Sequence, residues 1–132
     1  MKKQVYILVM TMLLLSCAQK QNDLKTFDPT FVHTVYFWLK DPESIQDRAA
    51  IEVSLKKFMK NSKYAKTKFV GTPPKATRDV VDDSFTYTLV LTFSSAEEQE
   101  NYQNEAAHLT FIEESQDLWE KVLVYDSMSI TQ

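Results

Sequence analysis

Two histidines, His33 and His108, a tyrosine six residues before the second of them, Tyr102, and a lone cysteine, Cys17, are the residues of this chain best suited to chemistry. An unperturbed imidazole titrates near pH ~6.5, which makes His108 a candidate general base, and the Tyr102 hydroxyl is a candidate donor to a developing oxyanion. Each has a plainer reading. His33 sits in an apolar run, where a histidine is more often a hydrogen-bonded part of the core, and His108 can bond to backbone at a helix bend while Tyr102 packs its ring inward. Asp126 is either the acid that orients an imidazole or a strand-end carboxylate facing water. Two histidines with no third ligand at a recognisable spacing argue against a metal site. The sequence carries no nucleophile elbow and no phosphate-cradling loop, and it has a single glycine, Gly71. No cofactor is expected.

Cys17 excludes an internal disulfide and any multi-cysteine metal site, and its neighbours explain it. Lys2 and Lys3 form a basic start, and Val5 to Leu15 form an apolar stretch of 11 residues. That stretch is too short for a spanning helix, which needs about 20 residues, and fits the apolar region of a signal peptide. Leu14-Leu15-Ser16-Cys17 resembles the bacterial lipobox, whose cysteine is lipidated and becomes the new N-terminus. Ordinary signal cleavage is the alternative, and a lone cysteine falling at this point weighs against it. Several buried acyl chains would hold the protein firmly on a membrane, each CH₂ contributing about 0.8 kcal/mol. The expected division is a lipoprotein signal peptide over 1–16, the lipidated cysteine and a polar tether over 17–30, and one domain over 31–132.

Of the 132 residues, 25% are charged and 44% hydrophobic, the composition of a globular protein with room for one domain. Without the first 16 residues, 13 basic side chains face 18 acidic ones. An acidic domain lacking a Lys/Arg cluster repels phosphate backbones, which excludes nucleic acid as a partner.

The elements that must position the candidate residues follow from periodicity. Phe31 to Leu39 reads as a strand with His33, Val35, Phe37 and Leu39 on one face and Val32, Thr34, Tyr36 and Trp38 on the other. Ile51, Leu55, Phe58 and Met59 recur at helical spacing after Asp41-Pro42-Glu43, predicting an amphipathic helix that ends near Asn61-Ser62. Tyr64 to Val70 is a weaker strand, and Thr72 to Asp83, with Pro73-Pro74, is a loop. Phe85 to Phe93 is the clearest strand, with Phe85, Tyr87, Leu89, Leu91 and Phe93 on one face. Ser94 or Ser95 caps the next helix, with Glu97 and Glu98 at capping-box spacing. That helix runs through Tyr102 and Ala106, with a bend or restart before Phe111, and Trp119 to Ser129 is the last strand. The order β-α-β-β-α-β predicts a ferredoxin-like α+β fold with helices on one face of an antiparallel sheet. Tyr36, Trp38, Thr88 and Val90 then remain on the other face. An apolar surface of that size is expected to be covered by a second copy, giving a homodimer.

Three stretches, VHTVYFWLK, YTLVLTFSSAEEQENYQNEAAH and WEKVLVYDS, together resemble the stress-responsive A/B barrel family from about Phe31 to Ser127. The resemblance implies a ferredoxin-like monomer and a dimeric α+β barrel. Most members of that family have no assigned activity. One plant branch comprises polyketide cyclases, in which a tyrosine and a histidine on the second helical segment act on the substrate and a first-strand histidine lines the pocket. Tyr102, His108 and His33 stand at the matching positions. The family commonly has His-Pro where this chain has Glu105-Ala106. On an unbroken helix of ~3.6 residues per turn, Tyr102 and His108 would lie a net of about 120° apart and point away from one another.

The leading expectation is a membrane-tethered dimer that binds a small apolar or aromatic molecule between sheet and helices. An alternative is a cofactor-independent acid-base enzyme, a cyclase or isomerase of carbonyl compounds, using His108 and Tyr102. A third is a structural or interaction module without a ligand. The expected location is the bacterial cell envelope, on the outer membrane facing the periplasm, because Ala18-Gln19 lacks the aspartate associated with inner-membrane retention.

Overall fold

The computed structural model describes residues 30–131, so Cys17, the signal peptide and nearly all of the tether lie outside the described residues. Four strands and three helices follow in the order β1 (Phe31–Leu39), α1 (Ile45–Asn61), β2 (Thr67–Gly71), β3 (Tyr87–Phe93), α2 (Ala96–Gln103), α3 (Ala106–Ser115) and β4 (Trp119–Met128). The strands form one sheet in the order β2-β3-β1-β4, every neighbouring pair antiparallel. This is the expected ferredoxin-like α+β fold. No helix among the described residues is long and apolar enough to cross a membrane.

Strict alternation along β1 sets the layers. Phe31, His33, Val35, Phe37 and Leu39 are buried, and the intervening side chains are only partly covered. In register with them, Tyr87, Leu89, Leu91 and Phe93 of β3 extend the same buried face, on which Ile51, Leu55 and Phe58 of α1, Tyr102 of α2 and Phe111 of α3 pack. Both capped helices begin as their residue types dictate. Ser44 accepts a hydrogen bond from the Asp47 N–H at the start of α1, and Ser95 accepts one from Glu98 at the start of α2. The Glu98 carboxylate in turn accepts from the Ser94 N–H, one residue before the cap, in a variant of the reciprocal capping box.

Three expectations need correction. β2 starts at Thr67 rather than Tyr64, because Ala65 is drawn into the core. Phe85 precedes β3 and does not share a face with Tyr87. Its ring packs against Tyr36 at 4.8 Å and Trp38 at 6.5 Å, on the sheet face away from the helices. The second helical stretch does restart before Phe111, as expected, but the first of its two helices ends at Gln103 instead of running through Ala106, and the division falls at Asn104-Glu105.

Candidate functional site

His33 enters the site from the central strand. In the β1–β4 register it stands opposite Asp126, and its Nδ1 lies 2.6 Å from Asp126 Oδ1. A carboxylate only accepts, so Nδ1 carries the proton and donates it, fixing the ring's orientation. His33 is 3% exposed. Asp126, on the edge strand, remains in contact with solvent.

Tyr102 occupies the last turn of α2 and is 1% exposed. Its ring is enclosed by His33 at 5.5 Å, Phe93 at 5.1 Å, Phe58 at 5.9 Å and His108 at 4.6 Å between centroids. Burial above all, then the negative charges of Glu105 and Asp126, push the phenol's pKa well above its usual value. The hydroxyl therefore stays protonated and is a donor at any physiological pH.

His108 opens α3, and its Nδ1–H donates to the Gln103 carbonyl at 3.0 Å. That bond leaves Nε2 as the acceptor nitrogen of the neutral ring. Burial lowers the pKa of His108, and the proximity of His33 works in the same direction. The Gln103 carbonyl and Glu105 oppose them. The ring is thus uncharged and able to accept a proton.

The contact between Tyr102 and His108 exists because the helix breaks without a proline. Asn104 leaves α2 at φ −101° and ψ −2°, and Glu105 is extended at φ −71° and ψ 145°. The Glu105 carboxylate accepts a hydrogen bond from the Lys63 N–H at 2.9 Å, which ties the break to the segment after α1. The 120° divergence of an unbroken helix is therefore absent, and the two rings meet at a tilt of 44° with centroids 4.6 Å apart. Sequence reasoning took Glu105 only as a departure from a His-Pro pattern. Its signal was that an acidic residue directly before a renewed apolar run suits a helix N-terminus.

The resulting row runs carboxylate, imidazole, phenol, imidazole from Asp126 to His108. A groove of about 620 Å³ lies beside it between α1 and the α2–α3 junction, lined by Phe58, Tyr64, Glu105 and Phe111 among others. His33, Tyr102 and His108 do not line this groove. Phe58, which lines the groove, contacts both Tyr102 and His108, with centroids at 5.9 and 6.1 Å. Among the described residues no group of three His, Cys, Asp or Glu side chains is placed to hold a metal ion.

On the opposite face of the sheet, Tyr36 pairs with Thr88, and Val90 lies between Thr34 and Phe69. Tyr36, Trp38, Thr88 and Val90 share this face, and each is partly exposed. The nearby Phe69 and Tyr125 are each 57% exposed.

The sequence profile of the stress responsive A/B barrel domain family matches residues 31–129. No curated protein matches the chain. Among solved structures, hydroxynitrile lyase from Passiflora edulis superposes with a TM-score of 0.65 at 22% identity, covering 80% of this chain and 98% of that one. A Dabb family protein with a ferredoxin-like fold from Mesorhizobium loti gives 0.64 at 17% identity, over 78% of this chain and 99% of that one. A dimeric ferredoxin-like protein of unknown function from Bacteroides fragilis gives 0.62 at 15% identity, over 79% of this chain and its whole length. At these identities the likeness establishes the fold.

The lowered His108 pKa has a consequence for stability. The unfolded chain binds this proton more tightly than the folded one, so the contribution of neutral His108 is complete above about pH 6.5 and is lost as pH falls through the folded-state pKa. His108→Gln should flatten the fall in urea midpoint between about pH 7.5 and 5 relative to the parent. An identical slope in the variant would show that the ring is not held neutral by the fold.

Proposed function

The chain belongs to the stress responsive A/B barrel domain family, and from that premise we propose a homodimer tethered to a membrane of the bacterial envelope, with Tyr102 and His108 transferring protons on a small, largely apolar carbonyl compound. The observation that carries this reading is the 4.6 Å contact between a phenol kept protonated and an imidazole kept neutral. A phenol kept protonated beside an imidazole kept neutral supplies a hydrogen-bond donor and a base at one position. His33, held by Asp126, backs Tyr102 and orients it. Substrate would approach through the groove between α1 and α3 and displace Phe58.

A hydroxynitrile is a suitable probe, because one of the structurally similar proteins is a hydroxynitrile lyase. In the reaction the base takes the hydroxyl proton, the carbon–cyanide bond breaks as the carbonyl forms, and cyanide leaves with the electron pair to be protonated. Release of benzaldehyde from mandelonitrile reads this chemistry directly. Tyr102→Phe and His108→Gln should each reduce turnover by about 100-fold or more with the circular dichroism spectrum unchanged. Parental rates in both variants, or no turnover by the parent above background, would refute the acid-base role. The groove itself favours a second reading, in which a small apolar or aromatic molecule is bound and not transformed.

Support for the dimer comes from the partly exposed aromatic face and from relatives described as dimeric. Val90→Arg would place a charge at the centre of that face and should convert the protein to monomer in sedimentation velocity. An unchanged sedimentation coefficient would remove the face from the interface. Support for the tether is the Leu14-Leu15-Ser16-Cys17 run after an apolar stretch. Cys17→Ser should shift the protein from the membrane to the soluble fraction, and continued membrane residence would argue for another mode of attachment. The outer membrane, facing the periplasm, is the proposed location.

A further inference from the structure

The Glu105 carboxylate uses only one of its two oxygens in the fold. Oε2 accepts from the Lys63 N–H at 2.9 Å and so holds the break between α2 and α3. Oε1 is closed off from bulk solvent and has no hydrogen-bond partner among the described residues. A carboxylate oxygen can only accept, and a buried one without a donor is costlier than a neutral group in the same position. The link to Lys63 needs one oxygen, which leaves the second surplus to the fold.

The surroundings of Glu105 define the donor that would suit it. Glu105 lines the groove between α1 and the α2–α3 junction together with Phe58 and Phe111, whose rings are stacked with centroids 5.3 Å apart and planes at 25°. These rings give the groove an aromatic wall. Its charged lining is balanced, Glu105 and Glu114 against Lys57 and Lys63, and Lys57 is already paired with Glu114. A cation therefore gains no net attraction, and an anion would meet the Glu105 carboxylate with the wrong sign. A neutral hydroxyl satisfies Oε1 without burying a second charge. Glu105 also lies close enough to Tyr102 and His108 for its charge to raise the pKa of both.

We propose that Glu105 Oε1 is the acceptor of a substrate subsite that recognises a hydroxyl group on the ring of an aromatic carbonyl compound. This subsite presupposes that substrate enters by the groove and displaces Phe58, and it narrows the substrate from an apolar carbonyl compound to a hydroxylated one. The ring takes the place of Phe58 beside Phe111, and its hydroxyl donates to an oxygen that has no bond to give up. A ligand lacking the hydroxyl leaves that oxygen unpaired, which is what makes the contact selective. The residue that ends α2 and lays His108 over Tyr102 thereby also reads the substrate.

The test is titration calorimetry of the full chain in a maltoside detergent, with meta- and para-hydroxyacetophenone and the matching methoxyacetophenones, which lack the donor. At least one hydroxy probe should bind about tenfold more tightly than its methoxy partner. Glu105→Gln keeps a carbonyl oxygen for the Lys63 N–H and puts an NH₂ donor in place of Oε1, so the preference should fall to near parity. Comparing that ratio between parent and variant cancels partition of the probes into detergent. A second readout needs no variant: in the parent labelled with carbon-13 at glutamate carboxyls, the Glu105 resonance should move with the preferred hydroxy probe and stay in place with its methoxy partner. Absence of binding, equal binding within both pairs, a stationary Glu105 resonance, or an unchanged preference in folded Glu105→Gln would overturn the proposal. Mandelonitrile turnover separates the subsite from the acid-base reading. Preference without turnover leaves the subsite standing and refutes proton transfer alone, whereas turnover without preference removes the subsite alone.

Discussion

A central strand that is apolar on both faces leaves the protein with two surfaces to keep from water, and most of its architecture answers that demand. On one side the rings of Phe31, His33 and Phe37 lie under α1, α2 and α3. On the other, Tyr36 and Trp38 gather Phe85 and Tyr125 into an aromatic patch that the chain itself covers only in part. The period of two along β1 thus assigns His33 to the interior and Trp38 to the exterior. The residues suited to proton transfer and the exposed aromatic patch are separated by the thickness of one sheet.

Within the helical layer the decisive contact is long in sequence and short in space. The Glu105 carboxylate reaches the Lys63 N–H, and the backbone at Glu105 turns extended where a helix would otherwise continue. α3 then restarts in a direction that lays His108 over Tyr102. Burial does the rest, raising the phenol's pKa and lowering the imidazole's, because each is costly to charge among Phe58, Phe93 and Phe111. Packing and site chemistry are therefore one property here. The apolar cluster that stabilises the domain also sets the protonation states of its candidate acid and base.

The layers were legible in the sequence wherever side-chain periodicity reports burial. β1, α1 and β3 follow from alternation and from the spacing of Ile51, Leu55 and Phe58, and Ser95 was readable as a cap from the glutamates after it. The division at Asn104-Glu105 was not readable as geometry, since neither glycine nor proline marks it and its partner Lys63 lies 42 residues away. The His33–Asp126 pair required the β1–β4 register, which no short hairpin turn specifies between strands so far apart in sequence. Phe85 was assigned to the wrong face because alternation was extended past the start of β3, into backbone pinned instead by Ser84 and Thr86.

The break between α2 and α3 is what brings Tyr102 and His108 into contact. Two-dimensional nuclear Overhauser spectroscopy on the isotope-labelled protein tests it without any substrate. Strong cross-peaks are expected between the Tyr102 ring protons and the His108 imidazole protons, with an interruption of sequential helical contacts at Asn104 and Glu105. Helical contacts running without interruption from Ala96 to Ser115, with no cross-peak between the two rings, would contradict it.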